Sequence, residues 1–104
     1  MKTYSVILHS EAETDINLIY QRGRRVWGYD QANAWARELQ RAIKLRLTSL
    51  PLSCPLAPES EDLGIAVRQL IVQRYRILFT VEKRTATILH VRGPYVTGLE
   101  AADE

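Results

Sequence analysis

The sequence has little of what several classes of protein require. Its 104 residues include a single cysteine, Cys54, and only two histidines. An internal disulfide is therefore excluded, and no spacing of His and Cys predicts a metal site. No apolar run approaches the roughly 18 residues of a membrane span, and the first residues show no signal-peptide pattern. We expect a cytoplasmic protein with no metal, no cofactor and no membrane partner.

The composition is that of an ordinary globular protein, with 46% hydrophobic and 25% charged residues. A chain of this length forms one core. We therefore predict a single domain over residues 1–104, with its core at about 3–96 and a short acidic tail at 99–104. The formal net charge of +2 is unevenly distributed. Between residues 64 and 98 there are six Lys or Arg residues and one acid, Glu82. Such a region suits an anionic partner; the alternative is a solvated basic edge that discourages strand addition.

Periodicity predicts the order of the first elements. Residues 4–9 alternate in a way that is typical of a strand. Ser10 and Glu13 have the spacing of a helix capping box, and Asp30 is placed to cap a second helix. Three prolines between residues 51 and 58 end that helix and predict an extended loop. The two helices, joined by a short turn, form a helical hairpin.

The segment 65–91 predicts three strands with two chemically different faces. Taking every second residue gives one mostly apolar face: Ile65, Val67, Ile71, Tyr75, Ile77, Phe79, Val81, Leu89 and Val91. The other face mixes basic and apolar residues: Ala66, Arg68, Leu70, Val72, Arg76, Leu78, Thr80, Ile88, His90 and Arg92. An exposed surface of that mixed kind usually awaits a partner.

Together these elements predict an α+β fold: an N-terminal strand, a helical hairpin, then a three-stranded antiparallel meander. The helices are expected to pack on the apolar face of the sheet, with Trp27 and Trp35 in the core or in the seam between the helices. The opposite face is expected to stay open. Cys54, in a proline-bounded turn, is predicted to be a half-buried structural thiol.

Several fragments that are weak alone form a distinctive ordered set. They are residues 4–8 with 12–16, Ala34-Trp35 with Leu39 and Ile43, Leu50-Pro51, and then 54–59, 67–70, 75–79 and 88–92. In this order, over about residues 3–96, the chain resembles the RelE/ParE toxins of type II toxin–antitoxin systems. The resemblance implies a small toxin held inactive by a cognate antitoxin. Antitoxins of this class wrap a flexible segment around the toxin, part of it helical and part of it added to a sheet edge.

In the RelE-like branch, the resemblance implies a ribosome-dependent endoribonuclease that cuts mRNA without a metal. By that likeness, Arg68 and Arg92 match the arginines that clamp phosphate. Glu59 matches a carboxylate base, and Tyr95 matches a C-terminal tyrosine. Catalysis of this kind needs a base, cations at the phosphate and an acid. Glu59 is alternatively a loop carboxylate paired with an arginine, and Tyr95 alternatively packs on the sheet rim.

Further candidates for contact with RNA or the ribosome are Arg76, His90, Arg74 and Lys83. His90 is a substitute base or a structural histidine at the sheet edge. The run Arg22, Arg24 and Arg25 is a ribosomal RNA contact or a solvated helix end. This chain departs from the ribonuclease pattern at Pro94, where a histidine is expected, and in the acids around residue 60, where RelE has lysines.

The ParE-like branch is the alternative, and its members inhibit DNA gyrase without a catalytic site of their own. The incomplete acid and base inventory favours that branch, whereas the positions of the four ribonuclease candidates favour the first. A non-toxic binding module of the same fold is a third possibility. The sequence slightly favours the ribonuclease.

Overall fold

Seven helices and strands follow one another in the computed structural model, which describes residues 3–93. They are β1 (Ser5–Leu8), α1 (Ser10–Val26), α2 (Tyr29–Leu47), α3 (Glu59–Leu63), β2 (Arg68–Val72), β3 (Tyr75–Glu82) and β4 (Thr85–Arg92). The predicted order of strand, helical hairpin and meander is confirmed. Tyr95 and the predicted acidic tail lie outside the described residues.

The four strands form one sheet in the order β1-β4-β3-β2. β2, β3 and β4 are antiparallel neighbours, and β1 pairs in parallel with β4. The helical hairpin therefore lies between the first strand and the meander in sequence and packs on one face of their common sheet. β1 has a strand on one side only, so its outer backbone edge carries no strand from the described residues.

The N-caps of the two long helices lie one residue (α1) and two residues (α2) before the predicted caps. His9 is the N-cap of α1, where its Nδ1 accepts the Glu11 N–H at 3.1 Å. Ser10 is thus the first helical residue, and the predicted Ser10 cap is wrong by one position. α2 begins at Tyr29 after Gly28, whose φ of 99° only glycine adopts easily. Asp30 lies in the first turn of α2, where a carboxylate is favoured by the helix dipole.

The main core lies between the helical hairpin and one face of the sheet. Apolar residues recur at helical spacing and meet the inward residues of the strands. Its buried members are Ala12, Trp35, Leu39, Leu47, Cys54, Val72, Tyr75, Ile77, Phe79, Ala86, Ile88 and Val91. Within the described residues the core holds no buried charged side chain. Trp27 lies outside the core, since 41% of it is exposed, and its ring centroid lies 6.3 Å from that of Trp35 in the other helix, which is the predicted alternative of a seam between the helices.

The segment after α2 covers part of the opposite face instead of forming a simple extended loop. It contains a 3-10 turn at Pro51–Ser53 and the short helix α3. The Ser60 hydroxyl accepts the Val67 N–H and donates to the Val67 carbonyl, which ties α3 to the start of β2. A second apolar cluster forms beneath this segment from Ala57, Val67, Leu78 and Leu89.

The β2–β3 turn places the residues of β2 on the opposite faces from those predicted relative to β3. Val72 pairs with Tyr75 across the two-residue turn at Gln73 and Arg74. Residues directly opposite each other in an antiparallel pair share a face. Arg68, which pairs with Phe79, therefore belongs to the helix-covered face. The prediction that it shares the open face with Arg76 is wrong, because strict alternation was continued through the turn.

A bulge in β4 places Ile88 and Leu89 on the opposite faces from those predicted. Phe79 pairs with Ile88 and Leu78 with His90, so Leu89 is an extra residue in β4. Ile88 consequently joins the main core, while Leu89 packs in the second cluster. Both had been predicted on the opposite faces, since a one-residue insertion inverts the alternation that sequence alone supplies.

Candidate functional site

A two-bond ion pair on the partly open face joins Glu59 to Arg76. Glu59 is the first residue of α3, and Arg76 points from β3. Arg76 donates through both terminal nitrogens to the two carboxylate oxygens of Glu59, at 3.1 and 2.8 Å. This two-bond geometry is the strong form of an ion pair. Glu59 is therefore the arginine-paired loop carboxylate that the sequence left as an alternative.

Two further side chains complete a cluster around this pair. Gln69 on β2 accepts from Arg76 Nε and from a terminal nitrogen of Arg76, at 3.1 and 2.8 Å. Arg92 lies directly opposite Arg76 on β4. We name Glu59, Gln69, Arg76 and Arg92 the polar cluster. The Arg76 hydrogen bonds lower the pKa of the Glu59 carboxyl, and the charges of Arg76 and Arg92 lower it further.

The charge of the polar cluster is better suited to binding an anion than to abstracting a proton. One carboxylate faces two guanidinium groups, which leaves an excess of one positive charge. Like charges directly opposite on neighbouring strands destabilise a sheet, so Glu59 offsets the repulsion between Arg76 and Arg92. A carboxylate with a lowered pKa is a weaker base. The arrangement leaves positive charge on Arg92, the exposed member, and holds Glu59 in an ion pair with Arg76.

Arg68 lies away from the polar cluster. Its guanidinium Nη1 donates to the Cys54 carbonyl at 2.7 Å and to the Leu52 carbonyl at 3.3 Å. Those contacts hold the turn after α2 against the end of β2. Arg68 is thus not brought together with Arg92, although the sequence predicted both as clamps of one phosphate.

Cys54 is more deeply buried than predicted, with 1% of its surface exposed. Burial raises the pKa of the thiol, and the nearby Arg46 and Arg68 only partly oppose that effect. A protonated buried thiol is a poor nucleophile, which agrees with a structural role.

His90 is bound to the first turns of α1. Its Nε2 lies 3.1 Å from Glu11 Oε1, and its Nδ1 lies 3.2 Å from Asp15 Oδ2. The same Asp15 oxygen accepts the Val91 N–H at 3.0 Å. Asp15 thereby pairs with a main-chain N–H at the edge of β4, beyond the point where β1 ends. This is the structural histidine at the sheet edge, the alternative to a catalytic base.

The remaining predicted residues are not gathered at one site. Arg74 lies in the turn before β3 and Lys83 in the turn after it, so the length of β3 separates them. Tyr95 lies outside the described residues. Among the sequence candidates within residues 3–93, Glu59, Arg76 and Arg92 come together.

Some residues of the site gave no signal in the sequence. Gln69 is an ordinary strand amide, and its orientation toward Arg76 follows from the pairing of β2 with β3. Asp15 and Ser60 are common helix-surface residues whose partners are distant along the chain. No periodicity or motif marks such contacts, because they depend on how separate elements pack.

Neither a metal centre nor a membrane segment is found in the part of the chain that the structure describes. Residues 3–93 contain no group of three or more His, Cys, Asp or Glu side chains placed to hold a metal ion. None of the helices in that range is long and apolar enough to cross a membrane.

The architecture has a match among solved structures. A solved structure described as "Chromosomal ParDE TA system from P. aeruginosa" contains a chain with a TM-score of 0.69 to this one. The match covers 88% of this chain and 96% of that chain, at 17% sequence identity. At that identity, the likeness establishes the fold. The sequence matches no protein-family model, and no curated protein matches it.

Proposed function

We propose that this protein is the toxin of a type II toxin–antitoxin pair and that it inhibits DNA gyrase by binding, with no catalysis of its own. The observation that carries the proposal is the separation of Arg68 from Arg92. They lie on opposite faces of the sheet, and Arg68 is engaged by main-chain carbonyls. A ribonuclease needs its cations on one phosphate and a free base beside them.

The similarity to a chain of a ParDE system supports a toxin of a type II system. Glu59 favours the gyrase inhibitor over the ribonuclease, because its carboxylate is occupied by Arg76 and its pKa is lowered. The sequence had favoured the ribonuclease on the positions of these residues. Their geometry now favours the gyrase inhibitor.

An antitoxin partner is supported by a groove beside β1. The groove has a volume of about 670 Å³ and lies between β1, the first half of α1 and the second half of α2. Its apolar lining includes Val6, Leu8, Ile16, Leu39, Ile43 and Ile88. An amphipathic helix of the antitoxin fits such a groove, and an adjoining strand fits the outer edge of β1. Glu13 and Lys44 on the lining offer one charge of each sign to its polar residues.

The ribonuclease remains the second candidate because of one observation. Glu59, Arg76 and Arg92 share one face, and Arg92 is exposed. If an RNA phosphate displaced Glu59 from Arg76, two guanidiniums and a carboxylate would surround it. This candidate requires the Glu59–Arg76 pair to open when RNA binds.

Induction of the chain in growing cells, with and without its antitoxin, tests the proposal. We expect growth arrest that the antitoxin relieves, with relaxed or broken reporter plasmid and intact mRNA. Purified protein is expected to inhibit supercoiling by purified gyrase. Arg92→Ala together with Glu59→Gln is the discriminating variant, since it removes the two ribonuclease candidates that come together while leaving the groove intact.

Three results would decide between the candidates. Site-specific mRNA cleavage at ribosomes, abolished in the Arg92→Ala/Glu59→Gln variant, would establish the ribonuclease. Gyrase inhibition that persists in that variant would support the binding inhibitor. Normal growth under full induction of the wild-type chain would refute both and favour the non-toxic binding module.

A further inference from the structure

The turn between α1 and α2 exposes apolar and aromatic side chains. Val26 is 63% exposed, Trp27 41% and Tyr29 60%. Arg24 and Arg25 precede them and are also exposed. We name these five residues the hairpin tip. Three large apolar side chains within four positions form a patch of the kind that usually marks an interaction site.

Trp27 of the hairpin tip is held in place from beneath. A Cβ built on Gly23 would lie 2.6 Å from the Trp27 ring, so the ring lies directly over that glycine. The Trp27 ring centroid lies 6.3 Å from that of Trp35, which in turn lies 5.3 Å from that of Tyr75. Trp35 and Tyr75 are buried in the main core. A rigid exposed tryptophan loses little conformational entropy when it is covered by a partner.

The charge of the hairpin tip defines the chemistry of that partner. Residues 21–29 contain three arginines and no acidic residue. The Arg24 guanidinium carbon lies 5.3 Å from the centroid of the Tyr29 ring, which presents a cation beside an aromatic surface. A second copy of the chain would bring like charges together at this position. The complementary surface is therefore acidic and belongs to another molecule.

A protein surface fits the hairpin tip better than a nucleic acid does. Trp, Tyr and Arg are the residues enriched in the energetic centres of protein interfaces, where the surrounding contacts exclude water. Nucleic acids are held by an extended row of cations along the phosphates with aromatic rings for the bases. The hairpin tip is instead a compact patch in which an aliphatic residue, Val26, is the most exposed apolar member.

We propose that the hairpin tip is the surface that holds the toxin's target, which presents an acidic rim around an apolar contact. This inference rests on the proposed function and adds the binding surface to it. The groove beside β1 is lined from the other end of the hairpin, by Glu13, Ile16 and Asn17 of α1 and by Ala36, Leu39, Gln40, Ile43 and Lys44 of α2. Binding of the target at the tip and of the antitoxin at the groove are therefore separable by substitution.

Two tip variants and one control test this assignment in the full chain. One variant reverses charge, Arg24→Glu with Arg25→Glu, and the other removes apolar surface, Val26→Ser with Tyr29→Ser. The control, Arg37→Glu with Arg41→Glu, makes the same charge change on exposed positions of α2. Circular dichroism and thermal unfolding verify that each folds. Trp27 is left unchanged because it packs on Trp35.

We expect both tip variants to lose growth arrest at equal expression, and the control to retain it. With purified gyrase as the probe, half-inhibition of supercoiling is expected to need roughly 30-fold more of either tip variant. Affinity for the antitoxin is expected to be unchanged in all three.

Each other result has a defined meaning. Full toxicity of folded tip variants overturns the inference while the proposed function stands. Loss of antitoxin affinity in the tip variants also overturns it, because the tip would then be an antitoxin surface. Binding to 70S ribosomes that falls with charge reversal but not with the apolar substitutions identifies a nucleic-acid contact, which overturns it as well. Loss of toxicity in both tip variants without any gyrase inhibition by the wild type supports the tip but refutes gyrase as target.

Discussion

Arg68 and Arg92 lie on opposite faces of one sheet. Arg68 pairs across the β2–β3 ladder with the buried Phe79, whereas Arg92 pairs with Arg76 across the β3–β4 ladder. The two residues that most strongly indicated a phosphate clamp therefore have different roles. Arg68 stabilises the turn after α2, and Arg92 provides exposed positive charge beside the Glu59–Arg76 pair.

Substitution of these two arginines is expected to separate stability from surface function. Arg68→Ala removes the hydrogen bonds to the Cys54 and Leu52 carbonyls and is expected to lower the free energy of unfolding by about 1–2 kcal/mol. Arg92→Ala is the control and is expected to change it by no more than about 0.5 kcal/mol. Urea denaturation measures both. Equal stability of the two variants would contradict a structural role for Arg68.

The Glu59–Arg76 pair predicts a dependence of stability on pH. The folded-state pKa of Glu59 is lowered from its ordinary value of 4.5, so its contribution is complete above about that pH. The contribution is lost as pH falls through the lower folded-state pKa. Because the Glu59 side chain is 35% exposed, solvent screening limits the contribution to about 1 kcal/mol or less.

The matched variant for this pair is Glu59→Gln, which keeps the shape of the side chain and removes the charge. Wild type is expected to be the more stable at pH 7, and the difference is expected to shrink toward zero as the pH falls through the lowered folded-state pKa of Glu59. Denaturation at a series of pH values gives the comparison. A difference that is constant with pH would show that the ion pair does not contribute.

Gly23 is expected to tolerate alanine poorly, against its helix propensity. Alanine in a helix interior is ordinarily favoured over glycine by about 1 kcal/mol. Here a Cβ would lie 2.6 Å from the Trp27 ring, and overpacking of this kind costs about 1–3 kcal/mol. Gly23→Ala is therefore expected to lower the midpoint of thermal unfolding.

The double variant Gly23→Ala with Trp27→Ala isolates that contact. Without the indole ring, alanine at position 23 is expected to be neutral or stabilising relative to Trp27→Ala alone. A cost that persisted in the absence of the ring would place the strain elsewhere in the hairpin.

Replacement of Lys83 by glycine is expected to stabilise the protein. Its φ of 57° lies in the left-handed region, which costs a residue with a Cβ roughly 1 kcal/mol. Lys83→Gly is expected to raise the free energy of unfolding by part of that amount, as measured by urea denaturation. The neighbouring Arg84 is the control: its φ is not positive and its guanidinium lies 5.0 Å from the Tyr4 ring centroid, so Arg84→Gly is expected to be destabilising. The opposite order would refute the assignment of strain to Lys83.

The sequence by itself determined the order of elements and the material of the core. Apolar spacing specified two helices, alternation specified strands, and turn residues separated them. These signals depend on neighbours within a few positions, which is why they survive without a structure. The sequence also showed the concentration of positive charge in the later strands. It gave the pairing of Glu59 with an arginine as one of two alternatives.

Only the tertiary structure decided which side chains meet. Alternation gives two faces to each strand, but the two-residue turn at Gln73 and Arg74 and the bulge at Leu89 determine how the faces of separate strands combine. Because of the turn, Arg68 lies on the opposite face of the sheet from Arg76. Because of the bulge, Ile88 lies in the main core. Packing of α1 against β4 joined His90 to Glu11 and Asp15. Strand register and helix docking are interactions between distant segments, so no local pattern encodes them, and the functional surface depends on both.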